Sequence, residues 1–274
     1  MNLSLSYSLG RSMVYTRGDA DANAYIAAVE GAGVSVSATQ RGAIDDFYVA
    51  AKADSYYTSL KRLYLPIWAS AAANAIDMIG LTSGTFNGTV THSAGYVQGD
   101  GSTGYFNTNI APSAVSGLST STAYTFGLLK TELPNLGNIG RSRNSASQDW
   151  NLVRLTGNLS SSIMANIDGS GLLGIATTFT GILSGSRVDG TRFNARRISA
   201  SRTSLGSVTD GNFGSVPTFD YYFMAGNSAG TAVGFSTTEF GSFGFGLGLT
   251  DTQDNAFTLA LKNLWETCTG LTLP

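Results

Sequence analysis

The chain holds a single histidine and a single cysteine, which restricts the catalytic and metal chemistry open to it. A nucleophilic pair would have to use His92, with Cys268 or a serine brought beside it. His92 lies at the end of a strand-like stretch, and Cys268 falls on the apolar face of a predicted helix, so both are interpreted as structural residues. A zinc site needs three or four ligands, chiefly Cys and His, and is therefore not predicted.

Paired carboxylates are the second chemistry to consider, because glycosidases use two of them about 5 to 10 Å apart. The chain has four glutamates, Glu30, Glu132, Glu239 and Glu266. None has the Glu-x-Asp-x-x-Glu strand spacing of sandwich glycosidases. Cleavage of a polysaccharide is therefore the disfavoured alternative. No catalytic residue is predicted, and the chain is not expected to be an enzyme.

Loop oxygens could hold calcium, which accepts carboxylate, amide and carbonyl ligands. Asn144, Asp149 and Asn151 form one such cluster, and several Asp-Gly pairs supply further oxygens. The alternative is that these pairs simply mark hairpin turns, and it is favoured because Asp, Asn and Gly are common turn residues. No metal or cofactor is predicted, with calcium left open at these three residues.

Aromatic side chains near loops could stack on sugar rings. Alternate aromatics in a strand mostly fill the core, so the stretches rich in Phe and Tyr are interpreted as core by default. Trp150, Tyr105 and Tyr96 lie near predicted loops, and we predict them as glycan-binding residues.

The elements that position these residues follow from the spacing of apolar residues. Alternation with serine marks the N-terminus, at Leu3, Leu5, Tyr7 and Leu9. This pattern predicts an extended assembly arm over residues 1–18. The arm would return to its own sandwich or, as favoured, add to the sheet edge of a neighbouring subunit.

Helical spacing predicts a helical hairpin over 19–62. Residues 63–274 show many short strands with turn signals, which predicts a β-sandwich closed by one C-terminal helix. Asn87-Gly88 and Asp189-Gly190 predict hairpins, the second with a two-residue loop. Ser37 with Gln40, and Thr250 with Gln253, predict capping boxes where helices begin.

Composition excludes several classes of partner. Charged residues make up only 12% of the chain, about half the usual share, and the net charge is −2, so nucleic acid is not an expected partner. No run of about 18 apolar residues occurs, so no membrane span is predicted. The N-terminus lacks a basic region and a continuous apolar run, so no signal peptide is predicted. A single cysteine fits assembly in a reducing cytoplasm.

The order of several short motifs resembles a protein family. The motifs are Asp19-Ala20-Asp21-Ala22-Asn23-Ala24-Tyr25-Ile26, Gln40-Arg41-Gly42-Ala43-Ile44-Asp45-Asp46-Phe47, Leu60-Lys61-Arg62-Leu63-Tyr64-Leu65, Tyr96-Val97-Gln98-Gly99-Asp100-Gly101, and Leu249-Thr250-Asp251-Thr252-Gln253. The order of these motifs along the chain is similar to that in bacteriophage virion proteins known as tail fibre, head fibre or decoration proteins. The resemblance covers most of residues 19 to 270.

The resemblance implies a mainly β fold, a concanavalin A-like (LamG-like) jelly-roll sandwich with a small N-terminal helical segment and one C-terminal helix. It implies a structural protein that docks on capsid or tail proteins of a virion, assembled in the host cytoplasm. We expect a homo-oligomer, with a trimer favoured because such appendages commonly close on threefold symmetry. The alternative function is a module that binds host-surface polysaccharide, and an outward sandwich could serve both roles.

Overall fold

A computed structural model describes residues 18–131, 138–145, 148–151, 154–156, 160–163, 173–175, 180–189, 192–199, 201–209 and 215–274. The predicted arm residues Leu3, Leu5, Tyr7 and Leu9 lie outside the described residues. No helix in the described ranges is long and apolar enough to cross a membrane.

The helices begin after residues that the sequence favours for N-caps, and the C-terminal helix ends at a left-handed glycine, Gly270. They are α1 (Ala20–Gly31), α2 (Ala38–Ala53), the single-turn α3 (Ala71–Asn74) and α4 (Asp251–Thr269). The Asp19 carboxylate accepts the backbone N–H groups of the first turn of α1. Ser37 with Gln40, and Thr250 with Gln253, form the capping boxes that begin α2 and α4. The predicted N-terminal helices and C-terminal helix are therefore present.

Short strands make up most of the remaining chain. In order they are β1 (Leu60–Tyr64), β2 (Thr85–Asn87), β3 (Val90–Ser93), β4 (Tyr96–Gly99), β5 (Tyr105–Asn107), β6 (Ala123–Leu129), β7 (Gly140–Ser145), β8 (Gln148–Asn151), β9 (Arg154–Thr156), β10 (Ser160–Ile163), β11 (Leu173–Ile175), β12 (Gly181–Arg187), β13 (Arg192–Ile198), β14 (Arg202–Thr209), β15 (Tyr222–Phe223), β16 (Gly226–Ser228), β17 (Thr231–Val233) and β18 (Glu239–Gly246). The prediction of a mainly β protein is confirmed.

The strands form two large sheets and one small sheet. The first sheet has the order β14-β13-β12-β6-β18-β4-β3, and β1 also pairs with β18. The second sheet has the order β17-β16-β7-β15-β5-β2, and β8 also pairs with β7. Strands β11-β10-β9 form a separate small sheet. The described pairs are antiparallel except β16 with β7, which is parallel.

Two hydrophobic clusters show that the first sheet lies between the helices and the second sheet. Helices α1, α2 and α4 pack on one face of the first sheet, against Tyr124, Phe126 and Leu128 of β6. The opposite face carries residues such as Phe243, which pack with Phe106 of the second sheet. Because both faces are covered, every residue of β6 is buried.

The turn at Asn87-Gly88 corrects one local prediction. Asn-Gly was expected to close a hairpin between β2 and β3. Instead β2 pairs with β5 in the second sheet, while β3 pairs with β4 in the first. Gly88 has a φ of 65°, but Asn87 does not have the positive φ that a two-residue hairpin turn of this type requires at both positions. The chain therefore crosses between the sheets here.

The hairpin predicted around Asp189-Gly190 exists with a different loop. Strands β12 and β13 pair antiparallel, and the register places Arg187 opposite Phe193. More than two residues therefore separate the strands, so the predicted two-residue loop is wrong. Residues 190 and 191 lie outside the described ranges.

Candidate functional site: the outer face of the second sheet

The second sheet has one face against the core and one facing away from it. In β5, Phe106 is fully buried in the core, while its neighbours Tyr105 and Asn107 are partly exposed. In β15, Phe223 points to the same core and Tyr222 lies on the other side, because successive strand residues alternate between faces. We call the side of the sheet that carries Tyr105, Asn107 and Tyr222 the outer face.

Aromatic rings lie together on the outer face. The ring centroids of Tyr105 and Tyr222 are 4.7 Å apart with an interplanar angle of 34°. Phe235, from the segment after β17, lies 6.2 Å from the Tyr105 ring. Burial raises the pKa of Tyr222 to about 12, so its hydroxyl keeps its proton at neutral pH and can donate a hydrogen bond.

Polar side chains surround these rings. Asn107 Nδ2 donates to Asp220 Oδ2 over 3.1 Å. Asn109 Nδ2 donates to Thr85 Oγ1 over 2.9 Å, which links β2 to the loop after β5. The sheet register also places Arg141 of β7 directly across from Tyr222. The outer face therefore combines rings with amide, carboxylate, hydroxyl and guanidinium groups.

Arg141 reaches its position because the neighbouring strand has no side chain there. Its partner across β16 is Gly226, and a Cβ added to this glycine would lie 2.9 Å from Arg141 Cδ. Any larger residue at Gly226 would displace the arginine. The glycine thus fixes a cation, which is 4% exposed, on the same face as the two tyrosines.

The loop before β5 supports Tyr105. The Asp100 carboxylate accepts backbone N–H groups from Ser102, Thr103 and Gly104 at 2.7–2.9 Å. The hydroxyl of Thr103 donates to the same carboxylate over 2.6 Å. These donors, with Thr103 first, hold the pKa of Asp100 far below its usual range. The loop is therefore fixed by a charged acceptor immediately before the strand that carries Tyr105.

The structure brings two of the three predicted glycan residues into one sheet. Tyr105 lies on the outer face, and the backbone of Trp150 lies in β8, which pairs with β7 of the same sheet. Only the backbone of Trp150 is described, and its side chain is not. Tyr96 lies elsewhere, in β4 of the first sheet. The Lys130 ammonium sits 4.2 Å from the Tyr96 ring centroid and pairs with Glu239, so one face of this ring is occupied.

The three candidate calcium ligands are only partly described. Asn144 Oδ1 accepts the backbone N–H of Thr218 over 3.0 Å, so it anchors a loop. Asp149 and Asn151 lie in β8, and their side chains are not described. Within the described ranges no three His, Cys, Asp or Glu side chains converge. Calcium at these three residues therefore stays the alternative that the sequence left open.

His92 and Cys268 both lie among packed side chains, as expected for residues with a structural role. Asn74 Nδ2 lies 3.0 Å from His92 Nδ1, the imidazole ring meets the edge of Phe86, and burial lowers its pKa. Burial raises the pKa of the Cys268 thiol to about 12, which leaves little thiolate at neutral pH.

One serine motif has a spacing that also occurs in hydrolases. Gly226-Asn227-Ser228-Ala229-Gly230 matches Gly-x-Ser-x-Gly, whose nucleophilic serine sits on a strand-to-helix turn. Here the stretch forms the hairpin between β16 and β17, with Ser228 paired to Thr231. His92 lies in the first sheet, so the two residues belong to different sheets.

Sequence reasoning did not assign Tyr222, Asn107, Asp220 or Arg141 to a site. The stretch Phe219 to Phe223 was interpreted as core, with an outward set able to stack on sugars. Alternation shows that such a set exists but not which residues belong to it. The pairing of β15 with β5 decides this, and it joins residues more than a hundred positions apart.

Comparisons with solved structures find similar folds at low sequence identity. No family model and no curated protein matches the chain. A sialidase from Trypanosoma rangeli aligns with a TM-score of 0.50 at 10% identity, over 81% of this chain and 39% of that chain. Domain 4 of a GH43 extracellular arabinanase from Geobacillus stearothermophilus, in complex with arabinotriose, aligns with a TM-score of 0.49 at 14% identity. The alignment covers 74% of this chain and 98% of that chain. The CBM40 of a Ruminococcus gnavus sialidase, bound to α2,3-sialyllactose, aligns with a TM-score of 0.37 at 9% identity. The alignment covers 51% of this chain and 82% of that chain.

These comparisons correct one prediction from the sequence. The chain was not expected to be an enzyme, but the solved structures that resemble it come from glycoside hydrolases, and this contradicts the expectation. At 10% identity the likeness to the sialidase concerns the fold alone. The chain spans 39% of that sialidase, so the activity of the whole enzyme does not transfer with the fold.

Proposed function

We propose that the chain is a glycan-binding module and that the outer face of the second sheet holds the sugar. The observation that carries the proposal is the partly exposed Tyr105 ring, packed 4.7 Å from the buried ring of Tyr222, with the Asn107–Asp220 pair beside it. Similar solved folds in carbohydrate-active proteins support the same reading.

The chemistry of this face suits a sugar. A pyranose or furanose ring has apolar C–H faces and a rim of hydroxyl groups. Aromatic rings bury the apolar part, and a few placed polar groups orient the hydroxyls. Asn107 offers an amide and Asp220 a carboxylate, so together they can donate to and accept from neighbouring hydroxyls.

The test is a binding titration with two matched tyrosine variants. Full-length protein is titrated by calorimetry with a panel of host-surface polysaccharides and their oligosaccharides. Tyr105→Ala is expected to weaken binding about tenfold or more, equivalent to about 1.4 kcal/mol. Tyr96→Ala removes a tyrosine of the first sheet and is expected to leave affinity unchanged.

Three results would contradict the proposal. The first is a parent protein that binds no glycan in the panel. The second is an equal affinity for Tyr105→Ala and the parent protein. The third is a loss of binding in Tyr96→Ala while Tyr105→Ala binds normally. Because similar structures come from glycoside hydrolases, each mixture is also analysed for shortened oligosaccharides, so that hydrolysis is detected if it occurs.

Two finer expectations stay predictions. One is the concanavalin A-like jelly-roll connectivity within the mainly β fold. The other is display on a virion, as a trimer attached to capsid or tail proteins. A glycan-binding face turned away from the helices is compatible with such display. Analytical ultracentrifugation of the full-length chain tests the trimer, and co-sedimentation with particles tests attachment.

A further inference from the structure

The helical side of the molecule carries an open groove between α2 and α4. Its volume is about 620 Å³. Its walls combine small apolar side chains, including Ala43, Ala50, Ala256 and Ala260, with polar ones such as Asn263. Leu259 also lines the groove and is 54% exposed, which is high for a leucine on an otherwise packed helix.

The described chain begins beside this groove. Gly18 lines a second, smaller cavity that shares Ala38 and Gly42 of α2 with the groove. Asp45 accepts the backbone N–H of Asp19, and Asn23 Nδ2 donates to the Gly18 carbonyl over 3.1 Å. The point from which residues 1–17 extend is therefore held against α2, next to the groove.

Charge and length match between the groove and the segment that precedes Gly18. Asp46 and Asp54 line the groove, whereas residues 1–17 contain two arginines, Arg11 and Arg17, and no acidic residue. Extended, residues 3–9 cover about 20 Å, and the 16-residue helix α2 is about 24 Å long. Opposite charge favours this placement over one on a neutral surface.

We propose that residues 1–17 lie in the α2–α4 groove of their own chain, in place of the neighbouring sheet edge that the sequence pattern favoured. In this arrangement the leucines and Tyr7 that alternate with serine insert among the alanines, and the serines face water. An extended segment with one apolar face fits a groove that is open on one side, because only alternate side chains need burial. The proposal concerns the helical side and is independent of glycan binding on the outer face.

Disulfide trapping tests the position directly. Full-length protein with Cys268→Ser receives Leu5→Cys and Leu259→Cys, and is then oxidised mildly. We expect a monomeric species with an internal disulfide, seen as a faster band on non-reducing gels that reverts with dithiothreitol. The matched control combines Leu5→Cys with Thr231→Cys on β17 of the second sheet, and no internal disulfide is expected there.

Two outcomes overturn the proposal. Covalent dimers formed through Leu5→Cys and Leu259→Cys would assign the groove to a second copy of the chain. Equal trapping yields in the test and control pairs would mean that the segment has no fixed place.

A stability cycle provides a second, independent test. Leu259→Ser is expected to lower the melting temperature of the full-length chain, because it weakens the contact with the segment. The same substitution should have no effect in a chain that lacks residues 1–17. Equal effects in both backgrounds would contradict the proposal.

Discussion

The two large sheets are made of similar strands but have different surroundings. Every residue of β6 and β12 in the first sheet is buried, because helices cover one face and the second sheet covers the other. In β5 of the second sheet only Phe106 is buried and its neighbours are partly exposed, although both residues of the adjacent β15 are buried. A strand that is covered twice contributes packing, whereas a strand that is covered once can also contribute a binding surface.

The buried polar groups show the same difference. In the first sheet, Tyr124 donates to Asp254 over 2.7 Å, and Arg202 pairs with the same carboxylate over 2.9 Å. Asp254 is fully buried, so this cluster joins α4 to the sheet. On the second sheet, Asn107 and Asp220 are partly exposed and can exchange their contact for a ligand. The first arrangement stabilises the fold, and the second is suited to recognition.

The largest expected effect comes from the centre of the helical layer. Phe257 of α4 packs edge-on against Phe47, Tyr124 and Phe126. Phe257→Ala should lower the free energy of unfolding by about 3–5 kcal/mol, because it leaves a cavity among these rings. Urea denaturation measures this loss. Thr252→Ala, at an exposed position of the same helix, should change it by less than about 0.5 kcal/mol.

The buried ion cluster should give the next largest effect. Asp254→Asn keeps the shape of the side chain but removes the charge that faces Arg196 and Arg202. We expect a loss of about 3 kcal/mol, the low end for removing one partner from a buried ion pair. Asp251→Asn is the control, since Asp251 is mostly exposed and its pair with Arg196 should contribute less than about 1 kcal/mol. Equal losses in both variants would contradict the scaffold role of Asp254.

A smaller effect with a defined pH dependence is expected at Asp100. Its pKa is lower in the folded chain than in the unfolded chain, so its stabilising effect is present above about pH 4 and is lost as the pH falls. Asp100→Asn should therefore make the free energy of unfolding decline less steeply in acid than it does in the parent. Denaturation at pH values from about 7 to 3 measures both slopes. Identical slopes would mean that the loop before Tyr105 does not depend on this carboxylate.

The smallest effect on stability should come from the outer face. Asn107→Ala removes a partly exposed hydrogen bond, so we expect a loss of about 1 kcal/mol in the free energy of unfolding. Glycan affinity should fall about fivefold, because the amide would no longer orient a sugar hydroxyl. Calorimetry compares this variant with Asp254→Asn, whose folded fraction should bind normally. If Asn107→Ala leaves glycan affinity unchanged, Asn107 has no role in binding, and the proposed difference between the two sheets is wrong for this residue.

Local patterns predicted the helices well and the strand partners poorly. Capping residues such as Ser37 with Gln40 act on the backbone within one turn, so they can be identified from the sequence alone. Gly88 has the positive φ expected of a hairpin glycine, but the chain crosses between the two sheets at this turn instead of forming a hairpin. The candidate site had a similar limit, because Tyr105 was identified near a loop but its partner Tyr222 was not.

The sequence by itself determined the mainly β class, the capping boxes that begin α2 and α4, and the place of Cys268 on an apolar helix face. All of these depend on interactions between residues near one another along the chain, or on composition. Only the tertiary structure decided that helices cover one face of the first sheet, and that Tyr105, Tyr222 and Phe235 meet on the outer face of the second. Those contacts join distant segments, and their pairing depends on how whole sheets bury their apolar faces, which local spacing does not specify.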